Sequence, residues 1–231
     1  MAVTSGGRRT AAPARLTRER VLRAALDFVD ANGLEALSIR KLGAELGVQA
    51  MSLYTHVDSK DALLDGLVEA MWQELDLPPG GEADWREAVR SMASSLRDMI
   101  RRHPAAAPLL ASRRILPTHA LEVLDAYLQV LRRAGFTEDR ALEVLRVVQV
   151  YAQGHALAEV SWGIRGQDPA IPDDDIARLR WVADMVPRDA PDRLLRTAVQ
   201  YCARCDMNHQ FTVGLDLIIR GLEAECPAAS H

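Results

Sequence analysis

SIRKLGAELGVQAMSLYTHVDSK, residues 38–60, decides the fold. Ser38 stands where its hydroxyl can accept a hydrogen bond from an orphan amide of a first helical turn. Ile39, Leu42 and Leu46 follow at spacings of 3 and 4, which puts them on one helical face. Gly47 sits where that helix must end in the left-handed conformation that glycine adopts cheaply. Val48 covers the turn, and residues 49–56 start a second short helix. Gly43 supplies the small residue that two steeply crossing helices need at their closest approach. A helix, a tight glycine turn and a second helix make a helix-turn-helix, whose second helix can lie in the major groove of DNA.

Working outward, Thr17 is a cap for a first helix running to about Asn32, with Gly33 as terminator and Val21, Leu22, Ala25, Phe28 and Val29 as its buried stripe. A fourth helix is expected from Asp58 or Ser59 to about Asp76, as a connector. The run Pro78-Pro79-Gly80-Gly81 breaks it and marks a domain boundary. Upstream, residues 1–15 show no helical or strand period and read as a disordered basic arm, either a tail without a role or an arm touching DNA. Downstream the pattern is helical throughout: 84–103, stopped by Pro104; 105–112; a helix opened by Pro117 and ended by Gly135; and a long one from the Thr17-like cap Thr137 through Trp162. A loop at 165–173 precedes a helix at 176–185, and after Pro187 and Pro191 two more fill 192–204 and 206–225. No segment alternates as an exposed-face strand does, and no repeat is visible. The expected class is all-α. A three-helix head (16–60) is joined by a connector helix (61–77) to a larger helical body (82–226).

Composition narrows the function. The chain has 231 residues, 48% hydrophobic and 26% charged, ordinary for a soluble globular protein. The longest uncharged stretch, residues 147–158, is too short to span a bilayer, and a cytoplasmic location is expected. Net charge is −4, yet residues 1–60 carry 9 Lys and Arg against 6 Asp and Glu, while the rest carry 19 against 26. The basic excess coincides with the helix-turn-helix, as attraction to phosphates requires. Three cysteines fit no disulfide framework; Cys202 and Cys205 are half of a metal motif without a second half and read as reduced thiols on a helix. No metal and no cofactor is expected. There is no nucleophile–base spacing, paired carboxylate motif or phosphate loop, which argues against an enzyme.

The pattern Leu46-Gly47-Val48, Leu53-Tyr54, His56-Val57, Lys60, Leu63-Leu64 resembles the recognition region of the TetR (tetracycline-repressor) family of bacterial transcription regulators, and residues 211–224 resemble that family's last helix. The resemblance is close over the first 75 residues and extends to the rest as a helical layout. It implies a homodimer that grips a palindromic stretch of double-stranded DNA and, most often as a repressor, lets go when a small molecule enters the body.

Carried over position by position, the resemblance makes 49–56 the recognition helix and Tyr54 and His56 its phosphate-contacting pair. Lys60 and Ser52 add phosphate donors, and such contacts position without reading sequence. Base reading falls to Gln49, Ala50 and Met51, with Arg40 from the preceding helix; Arg40 suits guanine and Gln49 adenine. Pocket candidates on the inner faces of the body are Trp72, Met99, His103, Leu110, Tyr151, His155 and Trp162, apolar walls with a few polar handles. Leu110 and Asp76 stand where tetracycline-binding members carry metal- and drug-contacting histidines, so a tetracycline–magnesium chelate is not the expected effector. The long helix and the last helix are the expected dimer surface, with Ala152, His155, Phe211, Leu215, Ile218 and Leu222 at the interface and Val213 and Leu217 on a second face. A different class remains open: a helical carrier or enzyme using the same cavity without specific DNA binding. Intact Tyr54, His56 and Lys60 argue against it.

Overall fold

Three side-chain hydroxyls start the helices of the head. In the computed structural model, which describes residues 15–78, 84–161, 175–202 and 206–224, Thr17 Oγ1 accepts from the Arg20 amide at 3.2 Å. Ser38 Oγ accepts from Lys41 at 3.3 Å and Ser59 Oγ from Ala62 at 3.0 Å. These caps open α1 (Arg18–Asn32), α2 (Ile39–Glu45) and α4 (Lys60–Trp72), with α3 (Ala50–Leu53) between the last two. Gly47 has φ +67°, the left-handed turn expected of it. A methyl group on Gly43 would stand 3.0 Å from the Val48 carbonyl oxygen and 3.3 Å from the Ala50 nitrogen, so α2 and α3 do cross tightest there.

The head is one small core. Val21, Leu22, Ala25, Leu26 and Val29 of α1 face Leu63, Leu67 and Met71 of α4, and Leu37, Leu42, Leu53 and Val57 fill the remaining side. Each of the valine, leucine and methionine side chains contributes about 1.5–3 kcal/mol by leaving water. At Gly66 an added methyl would lie 2.2 Å from Leu22 Cδ2, which marks the crossing of α1 and α4.

The recognition helix is shorter than expected, four residues rather than eight. Gln49 is its N-cap, Tyr54 its C-cap, and residues 54–56 are a turn. The connector is corrected too: α4 ends at Trp72 and not near Asp76. Beyond it, the Glu74 and Leu75 amides bond three residues back, to Met71 and Trp72 at 3.1 and 3.2 Å, which winds the chain out of α-geometry. The Asp76 amide then turns away to Ser95 Oγ at 3.2 Å.

The body is built on α5 (Trp85–Arg102), which packs along α8 (Glu138–Ser161) more extensively than any other pair of elements. The short α6 (Pro108–Ser112) and α7 (Thr118–Arg133) lie against α4, and α11 (Met207–Glu223) covers α8 and α5. Trp85 meets Phe136 edge-on at 5.2 Å, and the Tyr127 hydroxyl donates to the Asp76 carbonyl at 3.2 Å. The helices α9 (Asp175–Met185) and α10 (Asp192–Cys202) pack on each other, and Leu194, Leu195 and Tyr201 of α10 remain exposed. No strand occurs among the described residues. The expected loop at 165–173, the arm up to residue 14, Trp162, Cys205 and Cys226 lie outside them.

The expected dimer face is turned inward. Ala152, Phe211, Leu215 and Leu222 are buried in the chain's own core, Ile218 packs against it, and His155 lies against the stacked Tyr151 and Phe211 rings. Their stripe is the side of α8 and α11 that faces α5. The apolar residues these helices leave exposed are Val147, Val150, Val213 and Leu217, at 52%, 69%, 42% and 64%.

Candidate nucleic-acid interface

Leu53 and Val57 are buried, and because α3 is a single turn they fix which way everything around them points. Met51 is 73% exposed and Tyr54 45%, while Arg40, Gln49, Ser52 and Lys60 are also exposed and Ala50 and His56 half-covered. The exposed Tyr54 phenol excludes simple core packing for that side chain. Thr55 Oγ1 donates to the Ser52 carbonyl at 2.7 Å and the His56 amide to the Leu53 carbonyl at 2.9 Å, so the turn after α3 is held by its own bonds. Lys60 opens α4 beside its capped first turn, where uncompensated amides favour an anion. All eight expected DNA-contacting residues therefore come from α2, α3, the turn after it and the start of α4, in one continuous segment of the head.

The head is tied to the body by ion pairs that span long stretches of sequence. Arg113, just after α6, donates from Nε to Asp65 at 2.6 Å, from Nη1 to Asp61 at 3.0 Å and from Nη2 to the Asp61 carbonyl at 3.1 Å. It thus grips the first turns of the helix that Lys60 begins. Within the head, Arg18 meets Glu69 in a two-pronged contact, both bonds 2.7 Å. His103 lies between two carboxylates, with Nδ1 2.6 Å from Asp30 of α1 and Nε2 3.0 Å from Glu74 beyond α4. Burial pushes the Asp30 carboxyl above its ordinary range, and the His103 bond opposes that push.

Of the expected pocket residues, Tyr151 and His155 adjoin, with ring centroids 6.0 Å apart. Trp72 and Met99 are core side chains, Leu110 packs partly buried against the core, and His103 belongs to the head–body junction. The Tyr151 hydroxyl is engaged by the Phe211 carbonyl at 2.7 Å, and burial raises its pKa. His155 Nδ1 stands 3.3 Å from Glu159, a carboxylate buried among cations. Arg97 Nε donates to Glu159 at 3.0 Å, Arg97 Nη2 to Asn208 at 2.7 Å, and Arg101 lies 3.7 Å off. The Arg97 guanidinium also sits 4.5 Å over the Phe211 ring. Burial pulls the Glu159 carboxyl upward, but nearby His155 and the hydrogen-bonded Arg97 outweigh it and hold it below its ordinary value. The i, i+4 spacing of His155 and Glu159 was the one sequence signal of this cluster; Asp30 with His103, 73 residues apart, had none.

The body does contain clefts between other residues. One of about 500 Å³ opens between the end of α4 and the start of α7, lined by Glu69, Gln73, Leu116 and His119 among others. A smaller one of about 220 Å³ runs between α8 and α11, lined by Val144, Val147, Leu217 and Ile218 among others. Among the described residues no group of His, Cys, Asp and Glu is placed to hold a metal, and no helix is long and apolar enough to cross a membrane.

An exposed helix-turn edge over a small buried core, tied to a larger helical body, defines a DNA-binding head on a regulatory body. Residues 21–67 match the family "Bacterial regulatory proteins, tetR family" and residues 77–226 match "Tetracyclin repressor-like, C-terminal domain". The chain is 30% identical over 219 residues to the tetracycline repressor protein class D of Escherichia coli, covering 93% of each. It is 34% identical over 146 residues to the HTH-type transcriptional repressor DrrR1 of Streptomyces coeruleorubidus, covering 63% of this chain and 54% of that one, so it spans about half the length of that relative. Among solved structures it is similar to the Streptomyces coelicolor TetR family protein ActR in complex with actinorhodin, with TM-score 0.74, 28% identity, and 94% of this chain and all of that one covered. The chain belongs to the TetR family of DNA-binding transcription regulators.

Proposed function

We propose that the chain is a homodimeric repressor that holds a palindromic operator and releases it when a small molecule binds the body. The observation that carries this is the head itself: Leu53 and Val57 buried, with Arg40, Gln49, Met51, Ser52, Tyr54 and Lys60 displayed from one continuous edge. Tyr54, His56, Ser52 and Lys60 serve the phosphates, and Arg40, Gln49, Ala50 and Met51 face the bases. The dimer forms through the outward faces of α8 and α11, where Val147, Val150, Val213 and Leu217 give a partner apolar surface to cover. Two heads then read half-sites about one helical turn apart, ~34–36 Å. The relative ActR was solved with actinorhodin, so compounds of that kind are the first effectors to screen. An effector must favour the arrangement in which the heads no longer fit, and the coupling is then reciprocal.

The test is selection of duplexes from a randomised pool by the full-length protein, followed by fluorescence anisotropy on the enriched sequence at low and near-physiological salt. The expected result is an inverted repeat bound with a steep salt dependence. A folded dimer that enriches no sequence would overturn the reading.

A further inference from the structure

We propose that His103 is a positioning residue for DNA binding: its ring clamps α1 of the head to the end of α5 and to the turn after α4, and it holds the head at the angle an operator requires. The inference rests on the DNA-binding reading above and adds a residue and a condition to it. Nδ1 lies 2.6 Å from Asp30 Oδ2 and Nε2 lies 3.0 Å from Glu74 Oε2, and the ring is buried at the junction. Arg113 fixes the start of α4 to the body, whereas His103 fixes the far end of α1, so the head is gripped at two separated points.

The clamp has a proton requirement that follows from counting. Two hydrogen bonds need two protons. A neutral imidazole beside two carboxylates carries only one, so one bond is missing and a bare ring nitrogen faces a carboxylate. One further proton, on the ring or on Asp30, completes both bonds. The charged groups around the ring are Asp30 and Asp27 from α1, Glu74 from the turn after α4, and Arg102 of α5, which pairs with Glu74. Burial raises the hold of the Asp30 carboxyl on a proton, His103 opposes that, and the charges of Asp27 and Glu74 add to it. Loss of the proton as pH rises opens one side of the clamp, and a loosened head must be re-ordered when it binds DNA.

Two variants separate this from ordinary structural support. In D30N the new amide can donate to a bare Nδ1 while the neutral ring donates to Glu74, so both bonds survive without the extra proton. In H103Q no planar ring spans the two carboxylates, and the clamp is lost at every pH. Operator affinity is measured by anisotropy on the duplex selected by the wild-type full-length protein, across a mildly acid to mildly alkaline series. The DNA edge is the same in all three proteins, so the differences between profiles are the readout. The wild type is expected to lose affinity as pH rises by about three- to tenfold more than D30N, the range one modest hydrogen bond supports. H103Q is expected to be weak throughout, with a slope like that of D30N. Equal profiles for wild type and D30N, or an H103Q protein that binds as tightly as wild type or tighter, would overturn the proposal. Amide hydrogen exchange at residues 26–32 without DNA, expressed as protection relative to the intrinsic rate at each pH, provides the second arm, with lower protection expected in H103Q and, at high pH, in wild type. If the wild type selects no duplex, the DNA-binding reading fails while this arm still decides the clamp: unchanged exchange in H103Q refutes it.

Discussion

The same alanine substitution at two glycines four residues apart should fail in different ways. At Gly47 an added methyl meets nothing within 4 Å, so the penalty lies wholly in the backbone, held at φ +67°. Placing an L side chain there costs roughly 1–2 kcal/mol. For a chain of this size that lowers the melting temperature by roughly 2–8 °C. Gly43 differs, because its methyl would stand 3.0 Å from the Val48 carbonyl oxygen and 3.3 Å from the Ala50 nitrogen, both backbone. Alanine gains about 0.8–1 kcal/mol of helix propensity there. Overpacking takes back about 1–3 kcal/mol, and relief requires α3 to move by a few tenths of an ångström. Gly47→Ala should therefore lose stability and keep most of its operator affinity when assayed well below its melting point, with Gly47→Asn less harmed because asparagine tolerates this region. Gly43→Ala should lose roughly 0–2 kcal/mol net and, unlike Gly47→Ala, bind its operator clearly more weakly even well below its melting point. Thermal denaturation and anisotropy on one set of proteins decide it. An unshifted melting temperature for Gly47→Ala, or full affinity for Gly43→Ala, would refute the reasoning.

Val150→Glu combined with Leu217→Glu should convert the dimer to a monomer by sedimentation analysis while helical content is kept, since both residues are exposed in the single chain; Leu215→Glu should instead unfold it. Tyr54→Phe and Lys60→Ala should each weaken DNA binding across all sequences, and the lysine change should also flatten the salt slope by about one unit. Glu159→Ala strips Arg97 of its buried partner and should cost about 3–5 kcal/mol in denaturant unfolding. Because the Glu159 carboxyl is held below its ordinary value of 4.5, its contribution is complete above that value and is lost as pH falls through the lowered one. Glu159→Gln should accordingly remove that share of the protein's acid sensitivity.

The head was legible because its determinants are local. Thr17, Ser38 and Ser59 bond amides three residues ahead, and Gly47 acts on its own dihedral angle, so a short window contains both cause and effect. What was misread involved a choice between faces. The last helix carries two apolar stripes, and periodicity says that both are buried somewhere without saying which meets the chain's own core; Phe211 and Leu215 do, whereas Leu217 does not. The bonds of polar residues were not legible for a related reason. His103 and Tyr151 find their partners, Asp30 and the Phe211 carbonyl, 73 and 60 residues away. The length of α3 was overestimated because the turn at 54–56 bonds back onto it and continues its apolar spacing through Val57.

The shortness of that helix separates reading from folding. Leu53 is its one buried side chain, and Gln49, Met51 and Ser52 add almost nothing to the core. Selection can therefore rewrite those positions with little thermodynamic penalty, and relatives sharing this head are free to diverge in the DNA they address. A library randomised at Gln49, Met51 and Ser52 should yield mostly folded proteins, an ordinary scaffold carrying an exchangeable key.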